Sequence, residues 1–151
     1  RQDPEWHDGN YTRQPTAWRT AQVYFNLATT GGALALYTAS PTRQAADDEL
    51  AKRLRQDDSA DANDTLYQFD AARDYDPTPG LARITARVLA INAADDERNP
   101  PELGVMEPAM ARIKNARYVL LPITAANRGH STTYNASLWS SHLSKLLGEV
   151  R

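Results

Sequence analysis

Acidic and imidazole side chains follow two separate apolar runs, and together they could carry out acid–base chemistry. Residues 88–91 lead into three acidic residues at 95–97, and residues 118–121 lead into a loop that reaches His130. A carboxylate hydrogen-bonded to one ring nitrogen fixes the tautomer of a histidine, and the other nitrogen can then take a proton from a serine hydroxyl. These residue types therefore predict an acid and a base that act together on a hydroxyl nucleophile.

The elements around these residues predict how the acid and the base come together. Both apolar runs are typical of strands buried on both faces of a parallel sheet. Residues 103–115 predict a helix between them, beginning at 106 or 107 because Pro108 is tolerated only in a first turn. Polar groups that follow successive parallel strands gather at one edge of the sheet. We therefore expect Asp96 and His130 to lie side by side.

The chain before the first strand is predicted to be a helical region with little core of its own. Residues 1–15 are polar and rich in turn-forming residues, residues 16–75 show helical patterns with few large apolar side chains, and a proline-rich linker opens residues 76–151. The finer expectations are helices at 16–28, 44–56 and 65–74, a polar turn at 57–64, a cap at Ser40 with Pro41 in the first turn, and a last helix capped by Ser131 or Thr132. We interpret residues 16–75 as a lid over another part of the protein.

Composition narrows the functional classes. A net charge of -2 with 24% charged residues gives no reason to expect nucleic acid or an anionic membrane as a partner. No window approaches the roughly 18 apolar residues of a membrane helix, and the first residues lack the apolar segment of a signal peptide, which favours the cytoplasm over secretion while leaving the compartment open. The chain has no cysteine and 3 widely spaced histidines, so no metal site is expected.

Two groups of residues resemble a known family. The motifs are Val88-Leu89-Ala90-Ile91-Asn92-Ala93-Ala94-Asp95-Asp96-Glu97-Arg98-Asn99-Pro100-Pro101-Glu102, with Arg128-Gly129-His130 downstream, and the opening Asp3-Pro4-Glu5-Trp6, Gly9-Asn10-Tyr11 and Pro15. The first group resembles the C-terminal half of the α/β-hydrolase superfamily. The second, followed by a helical insert, resembles its homoserine O-acetyltransferase-like branch. The resemblance implies an α/β fold with parallel strands alternating with helices, preceded by a helical lid.

The same resemblance assigns the members of a catalytic triad. In the family's loop the acid precedes a proline by four residues, which implies Asp96 before Pro100, with Asp95 as the second choice. The triad base maps to His130. The nucleophile would be an upstream serine on a sharp turn, and no Gly-x-Ser-x-Gly pattern occurs in this sequence. The chain would therefore supply the acid and the base to a serine that it does not contain, and would be inactive alone.

The sequence leaves two reactions open, acyl transfer and ester hydrolysis. The resemblance implies an ester or thioester substrate, acetyl-CoA as the acyl donor of a transferase, and no other cofactor. Ser131 stands where homoserine acetyltransferases carry an aspartate after the catalytic histidine, which leaves room for a carboxylester hydrolase. Arg128 could bind a substrate carboxylate or be an ordinary exposed arginine. Four aromatic side chains of the lid could line an acyl pocket or could simply pack: Trp6, Trp18, Tyr67 and Phe69.

Two buried strands alone would leave long unpaired edges, which folded proteins normally cover. We therefore expect the remaining strands to come from an N-terminal half of the same fold, either in the same protein or in a separate chain. A self-sufficient mixed domain is the competing interpretation, and a homodimer is also left open. A non-catalytic fragment or interaction module that keeps the fold without the nucleophile is the competing functional class.

Overall fold

A computed structural model describes residues 2–29, 31–56 and 60–149. The chain divides into two compact units. The first unit contains the described residues of 1–27 and 40–75, and the second contains those of 28–39 and 76–151. The helices and strands, in chain order, are α1 Thr16–Thr29, α2 Ala33–Ala39, α3 Arg43–Arg55, α4 Ala62–Ala71, β1 Val88–Ala93, α5 Met106–Ala111, β2 Ala116–Leu121 and α6 Ser140–Gly148.

The first unit is held together by polar contacts between its opening segment and the start of α4. The Trp6 indole donates a hydrogen bond to the Asn63 Oδ1 at 2.8 Å, and the Tyr11 hydroxyl donates to Asp61 Oδ1 at 2.8 Å. Phe25 and Phe69 add an edge-to-face contact with ring centroids 5.6 Å apart. Hydrogen bonds and an aromatic contact therefore both stabilise this unit.

Several predicted boundaries in the first unit are wrong. The opening segment is not only loop, because Pro4–Gly9 forms a 3₁₀ helix. The cap of α3 is Thr42, whose hydroxyl accepts from the Ala45 N–H, so Ser40 and Pro41 precede the helix. Helix α4 begins earlier than predicted because the Asp61 carboxylate accepts the first free N–H groups. Residues 57–59 of the predicted polar turn lie outside the described residues.

The second unit contains the sheet, which within the described residues consists of β1 and β2. The two strands are parallel and in register from Val88 opposite Ala116 to Ala93 opposite Leu121. The buried hydrophobic side chains among the described residues of this unit are Ala93, Met110, Ile113 and Leu121. Most other strand residues are only half-buried, although their continuous apolar runs are typical of fully covered strands.

The elements around the strands agree in part with the sequence. Helix α5 begins at Met106 with Pro108 in its first turn, as predicted, but it ends at Ala111. A cap at Ser131 or Thr132 is wrong, because 3₁₀ turns precede α6, which begins only at Ser140. The proline-rich linker also closes into a 3₁₀ helix at Thr78–Arg83. Across the described ranges, none of the helices has the length and apolar character to cross a membrane.

Candidate active site

The loop after β1 turns sharply and buries one carboxylate. The Ala94 N–H continues the strand ladder to the Leu121 carbonyl at 2.9 Å, and the Asp96 N–H then closes a turn on the Ala93 carbonyl at 3.1 Å. This turn directs the Asp96 side chain inward, where the residue is only 4% exposed. A carboxylate this buried must be hydrogen-bonded, because an isolated buried charge is strongly unfavourable.

Three residues, Arg98, Asn99 and His130, form hydrogen bonds with the Asp96 carboxylate. Its Oδ1 accepts from the Arg98 N–H at 2.9 Å and from the Asn99 N–H at 3.0 Å. Burial raises the pKa of Asp96, but the bonds from the Asn99 N–H, the His130 ring and the Arg98 N–H outweigh it and hold the pKa below its usual value. Asp96 is therefore ionised at neutral pH and acts as a hydrogen-bond acceptor.

The histidine ring lies against this carboxylate. The His130 Nδ1 is 3.1 Å from both Asp96 Oδ1 and Asp96 Oδ2. An ionised carboxylate can only accept, so Nδ1 must carry the hydrogen and the neutral ring keeps its lone pair on Nε2. The side chain of His130 is 34% exposed, whereas that of Asp96 is 4% exposed. The pair thus has a buried acid and a base that can be reached from outside this unit.

The loop after β2 is built on two buried polar side chains. The Asn127 Oδ1 accepts from the Thr124 hydroxyl at 2.6 Å, and its Nδ2 donates to Asp95 Oδ1 at 2.9 Å. The Thr132 hydroxyl accepts from the Arg128 N–H at 2.8 Å. Asn127 and Thr132 are 3% and 2% exposed. These bonds hold the chain on both sides of the glycine that precedes the histidine.

The two acidic neighbours of Asp96 accept hydrogen bonds from the main chain of the histidine loop. Asp95 Oδ2 accepts from the Gly129 N–H at 3.1 Å, and Glu97 Oε2 accepts from the His130 N–H at 3.1 Å. The structure therefore separates the two candidate acids, because Asp96 contacts the ring and Asp95 contacts the backbone. Glu97 and Asn127 were not predicted as site residues, and Thr132 was predicted only as a possible helix cap, since polar loop residues usually face solvent.

The two candidate substrate-binding residues are placed differently. Arg128 is exposed, and its Nη1 donates to the carbonyls of Ala125 and Asn127 at 2.9 and 2.6 Å. Part of its guanidinium is thus committed to its own loop. Ser131 is half-buried, and its N–H bonds to the Arg128 carbonyl at 3.0 Å. Both residues flank His130, and their substrate contacts stay predictions.

The aromatic residues proposed as an acyl pocket belong to the first unit. The Trp6 and Trp18 indoles donate to Asn63 Oδ1 and to the Ala60 carbonyl at 2.8 and 2.9 Å. Tyr67 is 67% and Phe69 57% exposed. In the second unit a separate cavity of about 150 Å³ is lined in part by the acid of the pair. Its lining includes Ile91, Ala93, Asp96, Leu121, Thr132 and Trp139.

No group of three or more His, Asp or Glu side chains among the described residues is arranged to hold a metal ion. The acid–base pair at the sheet edge has a chemistry of its own. Its ring can accept a proton at Nε2, and its carboxylate can stabilise the imidazolium that results. A neighbouring hydroxyl could be activated in this way.

No protein-family model and no curated protein matches the chain. A solved structure does match, that of the "Putative non-heme bromoperoxidase BpoC from Mycobacterium tuberculosis H37Rv", with a TM-score of 0.59 and 22% identity. The match covers 97% of this chain and 50% of that one, so the chain spans about half the length of the matched structure. The chain has an α/β fold with parallel strands that corresponds to the C-terminal part of an α/β-hydrolase fold.

Proposed function

We propose that this chain supplies the acid and the base of a Ser-His-Asp triad in an acyl-transfer enzyme, and that the serine lies outside these 151 residues. The observation that supports the proposal is the contact between His130 Nδ1 and both oxygens of Asp96 at 3.1 Å. The two residues follow adjacent parallel strands, at the sheet edge where open α/β folds gather their reactive groups.

The proposed reaction has two half-steps, as in other covalent acyl transfers. The serine oxygen attacks the carbonyl carbon of an ester or thioester while Nε2 of His130 takes the hydroxyl proton. The tetrahedral intermediate collapses, the bond to the leaving alcohol or thiol breaks, and the imidazolium returns the proton to that group. Water or an alcohol then attacks the acyl carbon with His130 again as base, the bond from that carbon to the serine oxygen breaks, and the imidazolium returns the proton to the serine oxygen. Asp96 keeps the proton on Nδ1 throughout.

The acceptor separates two versions of this function. The resemblance to the homoserine O-acetyltransferase-like branch favours a transferase with acetyl-CoA as donor, with residues 16–75 as its lid. Ser131 favours a carboxylester hydrolase instead, because the branch has an aspartate at this position that resembles an amine-recognition residue. We propose the transferase as the first version and the hydrolase as the second. Acetyl-CoA consumption that requires an added alcohol supports transfer, and alcohol-independent release of thiol supports hydrolysis.

A fluorophosphonate probe tests the triad itself, because it reacts with activated serines. The test uses the intact protein or complex that contains this chain. We expect labelling of one serine outside the 151 residues and a loss of roughly 10^4-fold in labelling rate in His130→Ala. His142→Gln in α6 is the matched control and should label normally. No labelling of the intact wild-type protein would favour a non-catalytic interaction module, and unchanged labelling of His130→Ala would reject the assignment.

A further inference from the structure

Glu97 joins two segments of the second unit that are far apart in the sequence. Its Oε1 accepts from the Gly32 N–H, and its Oε2 accepts from the His130 N–H at 3.1 Å. Gly32 begins the turn into α2, where its carbonyl accepts from the Leu36 N–H at 3.0 Å. One carboxylate therefore holds both the start of α2 and the main chain of the proposed catalytic base.

Two backbone segments approach each other closely beside Glu97. Gly32 has φ +68, and a Cβ there would lie 2.6 Å from the Gly129 nitrogen and 2.7 Å from Asp95 Oδ2. Gly129 has φ +53, and a Cβ there would overlap the Glu97 carboxylate. Two glycines in the left-handed region thus let two backbones approach each other with the carboxylate between them. Such close packing transmits displacement of one segment to the other.

We propose that Glu97 is a positioning residue that couples the Gly32 turn to His130, so that displacement of residues 31–39 withdraws the base from its working position. This inference rests on the proposed function. Glu97 is suited to the task because its two oxygens serve two N–H groups on different segments. The Asp96 carboxylate contacts the ring of His130, whereas its other hydrogen bonds come from Arg98 and Asn99 and leave the His130 N–H to Glu97.

The variants Glu97→Ala and Glu97→Gln test the coupling in the intact protein, with the exposed Glu102→Gln as the matched control. We expect Glu97→Ala to lower kcat by about 10- to 100-fold with KM nearly unchanged, since small misplacements of a catalytic group have effects of that size. Glu97→Gln should recover part of the loss, because its single amide oxygen can still accept from one of the N–H groups. Because kcat is measured well below the unfolding temperature, a lower kcat reflects the position of His130 and not a loss of folded protein.

A second readout does not depend on turnover. Hydrogen exchange of the Gly32 and His130 amides and the NMR resonance of the His130 Nδ1 proton report the linkage directly. In Glu97→Ala we expect faster exchange at both amides and a shifted Nδ1 proton. If wild type shows no turnover or labelling, the proposed function fails, and these NMR signatures still decide the coupling. Unchanged kcat, or unchanged exchange at Gly32 together with an unshifted Nδ1 proton, would overturn it.

Discussion

Two glycines with the same backbone conformation offer a controlled test of the packing at the histidine loop. Gly129 has φ +53 and Gly104 has φ +60. A Cβ on Gly104 would meet nothing within 4 Å, whereas a Cβ on Gly129 would overlap the Glu97 carboxylate. The variants Gly129→Ala and Gly104→Ala therefore share the backbone strain of a left-handed alanine and differ in the contact.

The magnitudes follow from these two contributions. A left-handed alanine costs about 1 kcal/mol, and we assign this cost to both variants. In Gly129→Ala the displaced carboxylate also loses its bonds to the Gly32 and His130 N–H groups. Each of these two part-buried hydrogen bonds contributes about 1 kcal/mol. With the backbone strain added, Gly129→Ala should be destabilised by about 3 kcal/mol and Gly104→Ala by about 1 kcal/mol.

Thermal unfolding of the intact protein measures the difference. The Tm shift per kcal/mol is roughly 2–4 °C for a unit of 150–250 residues and smaller for a larger one, so Gly129→Ala should melt a few degrees below Gly104→Ala. In the Glu97→Ala background, where these two bonds are already lost, Gly129→Ala should cost only the backbone strain of about 1 kcal/mol. Equal Tm values for the two glycine variants would refute the close approach of Glu97 to this loop.

Three further predictions concern the acid and its supports. Asp96→Asn should lower turnover by roughly 10^4-fold by favouring the wrong tautomer of His130, whereas Asp95→Asn, which keeps the ring contact, should lose far less in the same assay. Because the pKa of Asp96 is lowered in the folded state, its contribution to stability is present above about pH 4 and disappears as the pH falls through the lower folded value. Urea titrations should therefore show the stability gap between wild type and Asp96→Asn closing below pH 4, and a constant gap would contradict the shift. Thr132→Val should cost about 1–3 kcal/mol by leaving the Arg128 N–H without its acceptor, while Thr132→Ser should stay near wild type in the same titration.

The two strands and the close approach of Asp96 to His130 could be predicted from the sequence. Two apolar runs, each followed by polar loops, predict parallel strands, and this α/β arrangement is confirmed. The juxtaposition of Asp96 and His130 follows from that topology, because the carboxyl ends of parallel strands share one edge. The catalytic role of the pair stays a prediction.

Helix starts and the roles of adjacent acids were harder to predict. Several capping residues compete before α3, and only the backbone conformation selects Thr42 over Ser40. Asp95 and Asp96 are chemically identical, so their separate contacts depend on the direction of one turn. The buried Asn127 was missed because a polar residue in a loop resembles a solvated one until its partners are known.

Residues 95–97 each bond to a different group of the opposite loop, namely the Gly129 N–H, the His130 ring and the His130 N–H. Inserting or deleting one residue within this segment would move at least one carboxylate away from its partner. This segment should therefore tolerate point substitutions far better than changes in length. A designer who transplants the site into another scaffold would have to move both loops together, with Gly129 and the turn at Gly32 included.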